Sequence, residues 1–329
     1  MTGSIAYDYL MQFPGRFLEH LIPDQMERLS VSFLVDDLRR VPGGCACNIA
    51  YGLALLGEHP LIFATSGPDA ADYRARMARE GVDVSGWKIE KDVFTASFFV
   101  STDRDQNQVA SFYTGAMARA RHLSIKSLDA AAIALVVISP NDPEAMLRYA
   151  RECRQKKIPF LFDPSQQVAR MSGSELADGL AGAWILIVND YESQILAQKT
   201  GLEPEALEER VPILVVTHGA DGSSISVATE QGRVRHSIPA ARLEQKAIDP
   251  TGVGDAYRAG LIRGIRMGAP WQVAGRMGSL AAAYALESPG PQPARYSAGE
   301  FVRRYEQNFG EEPLLHLLRK VRAGSRRAR

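Results

Sequence analysis

The middle of the chain alternates short apolar runs with segments of helical periodicity. The predicted strands are AAIALVVIS (131–139), IPFLFDPS (158–165), AWILIVND (183–190) and VPILVVTHG (211–219). Helices are predicted between them, at 142–157 and 191–201. Strands that are apolar on both faces are typical of a parallel sheet covered by helices on each side. The pattern therefore predicts an α/β fold in which polar strand ends meet at the edge where ligands bind.

Residues 93–116 break this pattern. The segment VFTASFFVSTDRDQNQVASFYTGA has two aromatic and β-branched runs around a polar turn, which predicts an antiparallel hairpin. We expect it to form a small separate sheet that acts as a lid, an ordinary surface hairpin being the alternative. Strand alternation would aim some of Phe98, Phe99, Phe112 and Tyr113 at a ligand. Alternatively, these rings pack the lid against itself or against a partner subunit.

The chain is predicted to be helical from residue 254 onward. The helical segments are 254–268, 270–287, 297–310 and 312–321. The final residues, RKVRAGSRRAR (319–329), are interpreted as a solvated basic tail and not as a nucleic-acid-binding arm.

Composition narrows the class of protein. The 329 residues carry 38 basic and 38 acidic side chains, so no global field favours nucleic acid or an anionic membrane. No apolar run approaches the ~20 residues that span a bilayer. Cys45, Cys47 and Cys153 are too few for a disulfide framework and poorly spaced for zinc, so we interpret them as small buried apolar residues. We expect a cytoplasmic protein.

The segment DPTGVGDAYRAGLIRG (249–264) carries the most informative chemistry. Gly252, Val253 and Gly254 lead into a helix whose first turn contains Asp255. Free amides at a helix N-terminus, beside glycines, form an anion site. A carboxylate there fits a base that accepts a hydroxyl proton while the amides hold a transferred phosphoryl group. An aspartate that simply stabilises a helix start is the open alternative.

Five motifs together resemble the ribokinase-like (PfkB) family of carbohydrate and nucleoside kinases. DPTGVGDAYRAGLIRG resembles its C-terminal signature. The others, in chain order, are TGSIAYD (2–8), the first strand ending in a substrate-binding Asp; PGGCACNIAYGLALLG (42–57), the N-terminal signature; VNDYE (188–192); and VVTHGADG (215–222). The resemblance covers nearly the whole chain. It implies a three-layer, doubly wound, mostly parallel sheet with a small antiparallel β lid. It also implies one kinase domain over 1–329, with lid elements around 9–41 and 93–116.

The resemblance also implies a role for each matching residue. Asp255 would be the base, and the amides of Gly252, Val253 and Gly254 the anion hole. The other implied roles are sugar or ribose binding by Asp8, Gly43, Gly44 and Asn48; organisation of Mg²⁺ and its waters by Asn189 and Glu192; a nucleotide loop shaped by Thr217, Gly219 and Gly222; and, on a looser match, a monovalent-cation (K⁺) site near Asp249. Asn189 and Glu192 could instead be a helix capping box.

The acceptor is argued separately from the reaction. The hairpin, FDPSQQ (162–167) and GDAYRAGL (254–261) resemble adenosine and broad nucleoside kinases more than ribokinases or fructokinases. A purine offers a face for stacking on aromatic rings, whereas a hexose offers mostly hydroxyls. We therefore expect ATP-dependent phosphorylation of a nucleoside, with adenosine favoured, ribose or fructose as the alternative, and a monomer or homodimer. A non-catalytic nucleotide-binding or sugar-binding relative is a further alternative, although Asp255 and the motif glycines are intact.

Family members usually have a longer first strand before the position of Gly3. We therefore expect that the open reading frame continues a few codons upstream of Met1.

Overall fold

The computed structural model describes residues 1–20, 31–105 and 107–318, in which the chain forms twelve strands and ten α-helices. The strands are β1 (Ala6–Gln12), β2 (Asp37–Gly43), β3 (Ala64–Ser66), β4 (Trp87–Ile89), β5 (Ala96–Thr102), β6 (Gln108–Tyr113), β7 (Val136–Ile138), β8 (Phe160–Phe162), β9 (Ile185–Asn189), β10 (Ile213–Thr217), β11 (Ser223–Thr229) and β12 (Gly232–Ile238). The helices are α1 (Phe17–His20), α2 (Cys45–Leu55), α3 (Ala71–Arg79), α4 (Pro143–Lys156), α5 (Gly173–Leu180), α6 (Asp190–Thr200), α7 (Pro204–Arg210), α8 (Val253–Arg266), α9 (Trp271–Leu286) and α10 (Ala298–Phe309).

The central sheet has six strands in the order β12-β11-β10-β9-β8-β7. The pairs β7–β8, β8–β9 and β9–β10 are parallel, whereas β11 and β12 add antiparallel strands at one edge. At the opposite edge, Thr2 forms a single parallel bridge with Ile138. The mostly parallel sheet that the apolar runs predicted is confirmed.

Both faces of the central strands are buried, because successive side chains enter different apolar clusters. Leu186 and Val188 pack with residues of α4, α5 and α6, whereas Ile185 and Ile187 pack with residues of α2 and α8. Each strand therefore needs apolar residues at every position and not only at alternate ones. Helices on both faces complete the predicted three-layer arrangement.

A second sheet carries the predicted hairpin. Its four strands have the order β2-β1-β5-β6. The pairs β1–β2 and β5–β6 are antiparallel, and β1 and β5 pair in parallel. The predicted hairpin is confirmed, and its strands join two strands from the first 43 residues. The short strands β3 and β4 pair with each other in parallel.

Several predicted boundaries were wrong. Of the strand predicted over 131–139, only β7 forms. Residues 130–132 form a 3-10 turn instead, which the side chain of Asp129 caps. The helix predicted over 312–321 begins as a 3-10 turn at Pro313–Leu315, and its residues from 319 lie outside the described part. The predicted basic tail (319–329) and part of the predicted lid element (21–30) also lie outside it.

Helices α2, α8 and α9 pack closely at glycine positions. A Cβ atom on Gly52 of α2 would lie 2.6 Å from the Ala259 Cβ of α8. A Cβ atom on Gly260 of α8 would lie 2.3 Å from the Met277 carbonyl oxygen of α9. The N-termini of α2 and α8 lie close together, and Asn48 of α2 donates to Asp255 of α8.

Among the described residues, no helix is long and apolar enough to cross a membrane.

Candidate active site

A cavity of about 490 Å³ opens between the second sheet (β2-β1-β5-β6), which we call the lid sheet, and the N-termini of α2 and α8. It contains predicted site residues from three separate parts of the sequence. Its lining includes Ser4, Ala6, Asp8, Gly44, Cys45, Asn48, Phe98, Phe112, Met117, Pro140, Gln166, Gln167, Arg170, Thr251, Gly252, Asp255 and Pro291. Asp8, Gly44, Asn48, Gly252 and Asp255 were predicted from sequence to lie in the site, and the fold brings them together.

The N-terminus of α8 forms the cavity floor. Gly252 is the N-cap residue and has a φ of 75°, a left-handed conformation that glycine adopts without strain. A Cβ atom at this position would lie 2.2 Å from the Pro291 carbonyl oxygen, so only glycine fits. Val253 and Gly254 follow as the first helical residues, whose amides lack intrahelical acceptors. The Val253 amide donates to the Pro250 carbonyl oxygen at 3.4 Å, and of these residues Gly252 lines the cavity. The N-terminus of a helix favours a negatively charged group through its dipole and its free amides.

Asp255 is buried in the first turn of α8, with 9% of its surface exposed. Its Oδ2 atom accepts a hydrogen bond from Nδ2 of Asn48 at 2.9 Å. Asn48 lies one turn into α2, after the N-cap residue Gly44, which has a φ of 91°. A Cβ atom on Gly44 would lie 2.5 Å from the Ser4 carbonyl oxygen, so glycine lets α2 start against the N-terminal segment.

The electrostatic environment of Asp255 includes a buried ion pair that sequence reasoning missed. Arg258, one turn further along α8, forms a double contact with Asp163 at 2.5 and 2.6 Å. Burial raises the pKa of Asp255, while the Arg258 cation and the Asn48 hydrogen bond act in the opposite direction. Burial alone would lower the pKa of Arg258, but the carboxylates of Asp163 and Asp255 outweigh it and raise that pKa.

Asp8 enters the cavity from β1. It was expected at the end of the first strand, but it is the third residue of β1, which continues for four more residues in the lid sheet. That expectation was wrong because the chain crosses from the central sheet to the lid between Thr2 and Ala6. A Cβ atom on Gly43 would lie 2.8 Å from Oδ2 of Asp8, so glycine leaves room for this carboxylate. Burial, followed by the charges of Asp249 and Asp255, raises the pKa of Asp8 to about 6.

The register of the lid separates its aromatic residues into two faces. Asp8 pairs with Phe98, and Phe98 pairs with Phe112, so these three side chains share one face. Phe98 and Phe112 line the cavity. Phe99 lies on the other face and stacks on Tyr9 with a centroid distance of 4.7 Å. The alternation of the strands therefore directs Phe98 and Phe112 toward the cavity, whereas Phe99 packs the lid sheet against itself.

The predicted nucleotide-binding residues lie beside each other at the carboxyl ends of β9 and β10. Thr217 pairs with Asn189 in the parallel register. Asn189 and Glu192 form a complete capping box at the start of α6, with hydrogen bonds of 2.8 and 2.9 Å. Glu192 is buried and also accepts a hydrogen bond from the Ser165 hydroxyl at 3.2 Å. The capping alternative is thus present, and none of Asn189, Glu192 or Thr217 lines the cavity.

The turn after β10 is built on two glycines with positive φ. Gly219 has a φ of 58° and no atom within 4 Å of an added Cβ, so its surroundings are open. Gly222 has a φ of 96°, and a Cβ there would lie 2.1 Å from the Ile238 carbonyl oxygen. The His218 ring lies 2.7 Å from the Asp190 carboxylate and 3.0 Å from the Ser224 hydroxyl. The turn is therefore anchored to both neighbouring elements.

Asp249 holds two loops together near the cavity floor. Its carboxylate accepts hydrogen bonds from the amides of Thr251 at 2.9 Å and Gly290 at 3.0 Å. Asp249 is not in the cavity lining, although its charge contributes to the raised pKa of Asp8.

Sequence reasoning missed several other residues at this site. Gln166, within the 3-10 turn Ser165–Ala169, and Arg170, directly after it, line the cavity. Gln292 donates to Asn48 at 3.2 Å. The sequence does indicate a role for Arg258, because this residue follows Asp255 by three positions and therefore lies on the same face of the helix. Cys47 and Cys153 are buried, but Cys45 lines the cavity, so its interpretation as a buried apolar residue was wrong.

A second cavity, of about 400 Å³, lies at the amino end of β7. It is lined mainly by apolar side chains, including Leu53, Leu61, Phe63 and Ile133. It shares no residue with the cavity at the helix N-termini and contains none of the predicted site residues.

Comparison with known proteins identifies the class of protein to which this site belongs. Residues 6–297 match the family described as pfkB family carbohydrate kinase. The chain therefore belongs to the PfkB family and is a phosphotransferase with an alcohol group as acceptor. The resemblance seen in the motifs is confirmed, and the family implies ATP as phosphoryl donor.

Two relatives illustrate the similarity in sequence and structure. The nucleoside kinase of Methanothermobacter thermautotrophicus is 30% identical over 318 residues, covering 95% of this chain and 96% of the relative. The nucleoside kinase of Burkholderia thailandensis, solved in complex with inosine, has 37% identity and a TM-score of 0.84. That match covers 95% of this chain and 98% of the other. The Burkholderia enzyme has also been solved in complex with ADP-inosine.

A third similar structure supports the assignment of the fold. The nucleoside kinase of Methanocaldococcus jannaschii, described as an archaeal member of the ribokinase family, has 26% identity and a TM-score of 0.81. This match covers 93% of the present chain and 97% of the other. The predicted ribokinase-like fold is confirmed.

Proposed function

We propose that this protein is a nucleoside kinase that transfers the γ-phosphoryl group of ATP to a primary hydroxyl, with adenosine as the favoured acceptor. The observation that carries the proposal is the position of Asp255. It lies between an anion-binding helix N-terminus and a cavity with two aromatic rings on its lid side. We further propose that the chain acts as a single catalytic domain with a lid and resides in the cytoplasm, where free cysteines such as Cys47 and Cys153 remain reduced.

Asp255 would act as the general base. Burial raises its pKa, and a carboxylate with a raised pKa is a stronger proton acceptor in its ionised form. The amides of Gly252, Val253 and Gly254 would hold the negative charge of the transferred phosphoryl group. The cation of Arg258 favours the ionised form of Asp255, and its guanidinium is held by Asp163 and does not line the cavity.

The hydroxyls of the acceptor would bind at the opposite side of the cavity. Asp8 accepts hydrogen bonds, and Asn48 can both donate and accept, so the pair suits a vicinal diol. Gly43 would allow close approach of the sugar because it carries no side chain beside Asp8, and Gly44 lines the cavity without a side chain of its own.

The base would lie against Phe98 and Phe112, which share the cavity face of the lid. Stacking on such rings is worth about 1–3 kcal/mol per base. The amide of Gln166 and the guanidinium of Arg170 also line the cavity and offer hydrogen bonds to a base edge. Because the Burkholderia enzyme was solved with inosine, inosine is the second purine nucleoside to test.

The nucleotide would lie along Thr217, Gly219 and Gly222, whose turn is open at Gly219. For Mg²⁺, Asn189 and Glu192 fit a role through bound water. Oδ1 of Asn189 and both carboxylate oxygens of Glu192 already accept hydrogen bonds from the protein, which suits contact with the ion through water. When bound, Mg²⁺ would neutralise charge on the donor phosphates. We also propose that K⁺ binds near Asp249. This proposal rests only on the looser match of Asp249 to the family's position near a monovalent-cation site.

The test is an ADP-release assay with ATP and Mg²⁺ against adenosine, inosine, other nucleosides, ribose, fructose and fructose phosphates. We expect nucleosides to give the highest kcat/KM, and the product to carry phosphate on its primary hydroxyl by NMR. Activity confined to sugars would overturn the nucleoside assignment and support the sugar-kinase alternative. Absence of turnover with every acceptor, in a protein that still binds ATP, would contradict the kinase proposal itself.

A further inference from the structure

A chain of hydrogen bonds leads from a surface helix to the proposed base. Arg76 of α3 donates to Oε1 of Gln292. Nε2 of Gln292 donates to Oδ1 of Asn48 at 3.2 Å and to the Tyr73 hydroxyl at 2.6 Å. Nδ2 of Asn48 then donates to Oδ2 of Asp255 at 2.9 Å. Two neutral amides therefore connect a cation to a carboxylate.

The charges at the two ends determine which group donates and which accepts in each hydrogen bond of this chain. A guanidinium can only donate, so the Gln292 oxygen must face Arg76 and its NH₂ group must face Asn48. An ionised carboxylate can only accept, so the NH₂ group of Asn48 must face Asp255. Turning either amide over would bring two donors or two acceptors together.

Gln292 acts from outside the cavity. It is half-buried in the loop between α9 and α10 and is not among the lining residues. The same loop is held on either side of Gln292: Gly290 donates to Asp249 at 3.0 Å, and Pro291 packs against Gly252. The side chain of Gln292 therefore reaches the cavity through its hydrogen bond to Asn48.

We propose that Gln292 is a positioning residue for phosphoryl transfer, which orients the Asn48 amide so that its NH₂ group and not its oxygen faces Asp255. This inference rests on the proposed role of Asp255 as the base. With the Asn48 amide turned over, an oxygen would face the carboxylate, and the ionised form needed for catalysis would be disfavoured.

In the described part of the chain the Gln292 side chain is hydrogen-bonded to Arg76, Asn48 and Tyr73, and not to the other charged or titratable groups near Asp255. These are Arg258 on the same helix, Asp163 after β8, Asp8 on β1 and the Cys45 thiol at the start of α2. A change in the pH dependence of the uncharged variant Gln292→Met is therefore attributable to the amide chain, whereas Gln292→Glu also adds a negative charge that raises the pKa of Asp255 directly.

The decisive variant is Gln292→Glu. It keeps the side-chain size and an acceptor for Arg76, but it removes the N–H donor that fixes Asn48. The Asn48 amide then turns its NH₂ group toward the new carboxylate. We expect kcat at pH 7 to fall by about tenfold, the acid limb of the kcat profile to move to higher pH, and the KM for ATP to stay unchanged.

Two further variants make the result interpretable. Gln231→Glu makes the same change on the exposed turn between β11 and β12 and should behave as wild type. Gln292→Met keeps the size but removes all three bonds, and it should lower kcat by about threefold with the KM for ATP unchanged.

The outcomes distinguish failure of the positioning role of Gln292 from failure of the proposed function. A folded Gln292→Glu variant whose pH profile superposes on that of wild type would overturn the positioning role. If this variant does not fold, a wild-type kcat in Gln292→Met would overturn it equally. Failure of the proposed function is seen separately, because the wild-type enzyme itself would then phosphorylate no acceptor.

Discussion

The floor of the cavity is closely packed, whereas the outer strand of its lid is exposed to solvent. The floor consists of the N-termini of α2 and α8, packed at glycine positions so closely that a single added Cβ atom would collide with a neighbour. The lid is a four-stranded sheet whose outer strand, β6, is exposed along its length, with 42% of Phe112 and 45% of Tyr113 accessible.

This contrast matches the two tasks of the proposed reaction. Proton removal and charge stabilisation need groups held rigidly, and buried helix N-termini in close packing supply them. Acceptor binding needs an apolar face that can cover different ligands, and an exposed aromatic strand supplies that. We therefore expect changes in the floor to affect kcat, and changes in the lid to affect the KM for the acceptor.

The largest effect is expected for Asp255→Asn. It removes the proton acceptor, so kcat should fall by about 10²–10⁴-fold, while the amides of the floor still hold the nucleotide phosphates. Steady-state kinetics and ATP titration by calorimetry test both statements. A variant that kept the wild-type rate would show that Asp255 is not the base.

A smaller loss of kcat is expected for Gly252→Ala. The added methyl group is placed in a left-handed conformation and against the Pro291 carbonyl oxygen, so the start of α8 must shift. Shifts of this kind at a reacting centre cost about 10²-fold in rate. Gly268→Ala is the matched control, because Gly268 has a φ of 70° but no atom within 4 Å of the added Cβ. Equal losses of kcat in the two variants would contradict the role of the floor.

On the lid, Phe112→Ala should raise the KM for the nucleoside by about tenfold and leave kcat near the wild-type value. Phe99→Ala is the control, since Phe99 stacks on Tyr9 on the opposite face of the same sheet. Initial rates over a range of acceptor concentrations separate the two parameters. If both variants raised the KM equally, the lid would act through its stability and not through stacking.

The smallest effect is expected for the Tm of a variant at Asp8. The pKa of Asp8 is raised to about 6 in the folded state, mainly by burial, so the folded protein holds this proton more tightly than the unfolded chain does. The resulting stabilisation is complete below about pH 4 and is lost as the pH rises through 6. Asp8→Asn should therefore raise the Tm relative to wild type at pH 7 but not at pH 4. A Tm difference independent of pH would show that Asp8 titrates normally.

The local patterns of the chain were sufficient for the central sheet and its helices. The apolar runs that became β8, β9 and β10 are buried on both faces, and that requirement leaves a continuous signature in sequence. The capping box of Asn189 and Glu192 was also readable, because it depends on residues three positions apart. The short β7 and the 3-10 turn at Pro313–Leu315 were not, since their limits depend on neighbouring segments.

What the sequence by itself determined is the chemistry: the turn before Asp255, the motif order and the aromatic hairpin indicate a family of phosphotransferases. Only the tertiary structure decided which of these groups meet. Asn48 and Asp255 are 207 positions apart, and Gln292 and Asn48 are 244 apart, yet they are hydrogen-bonded. Likewise, strand register assigned Phe98 and Phe112 to the cavity and Phe99 to the outer face. Hydrogen bonds between distant segments and the choice of sheet face depend on how elements pack, and local sequence patterns do not contain that information.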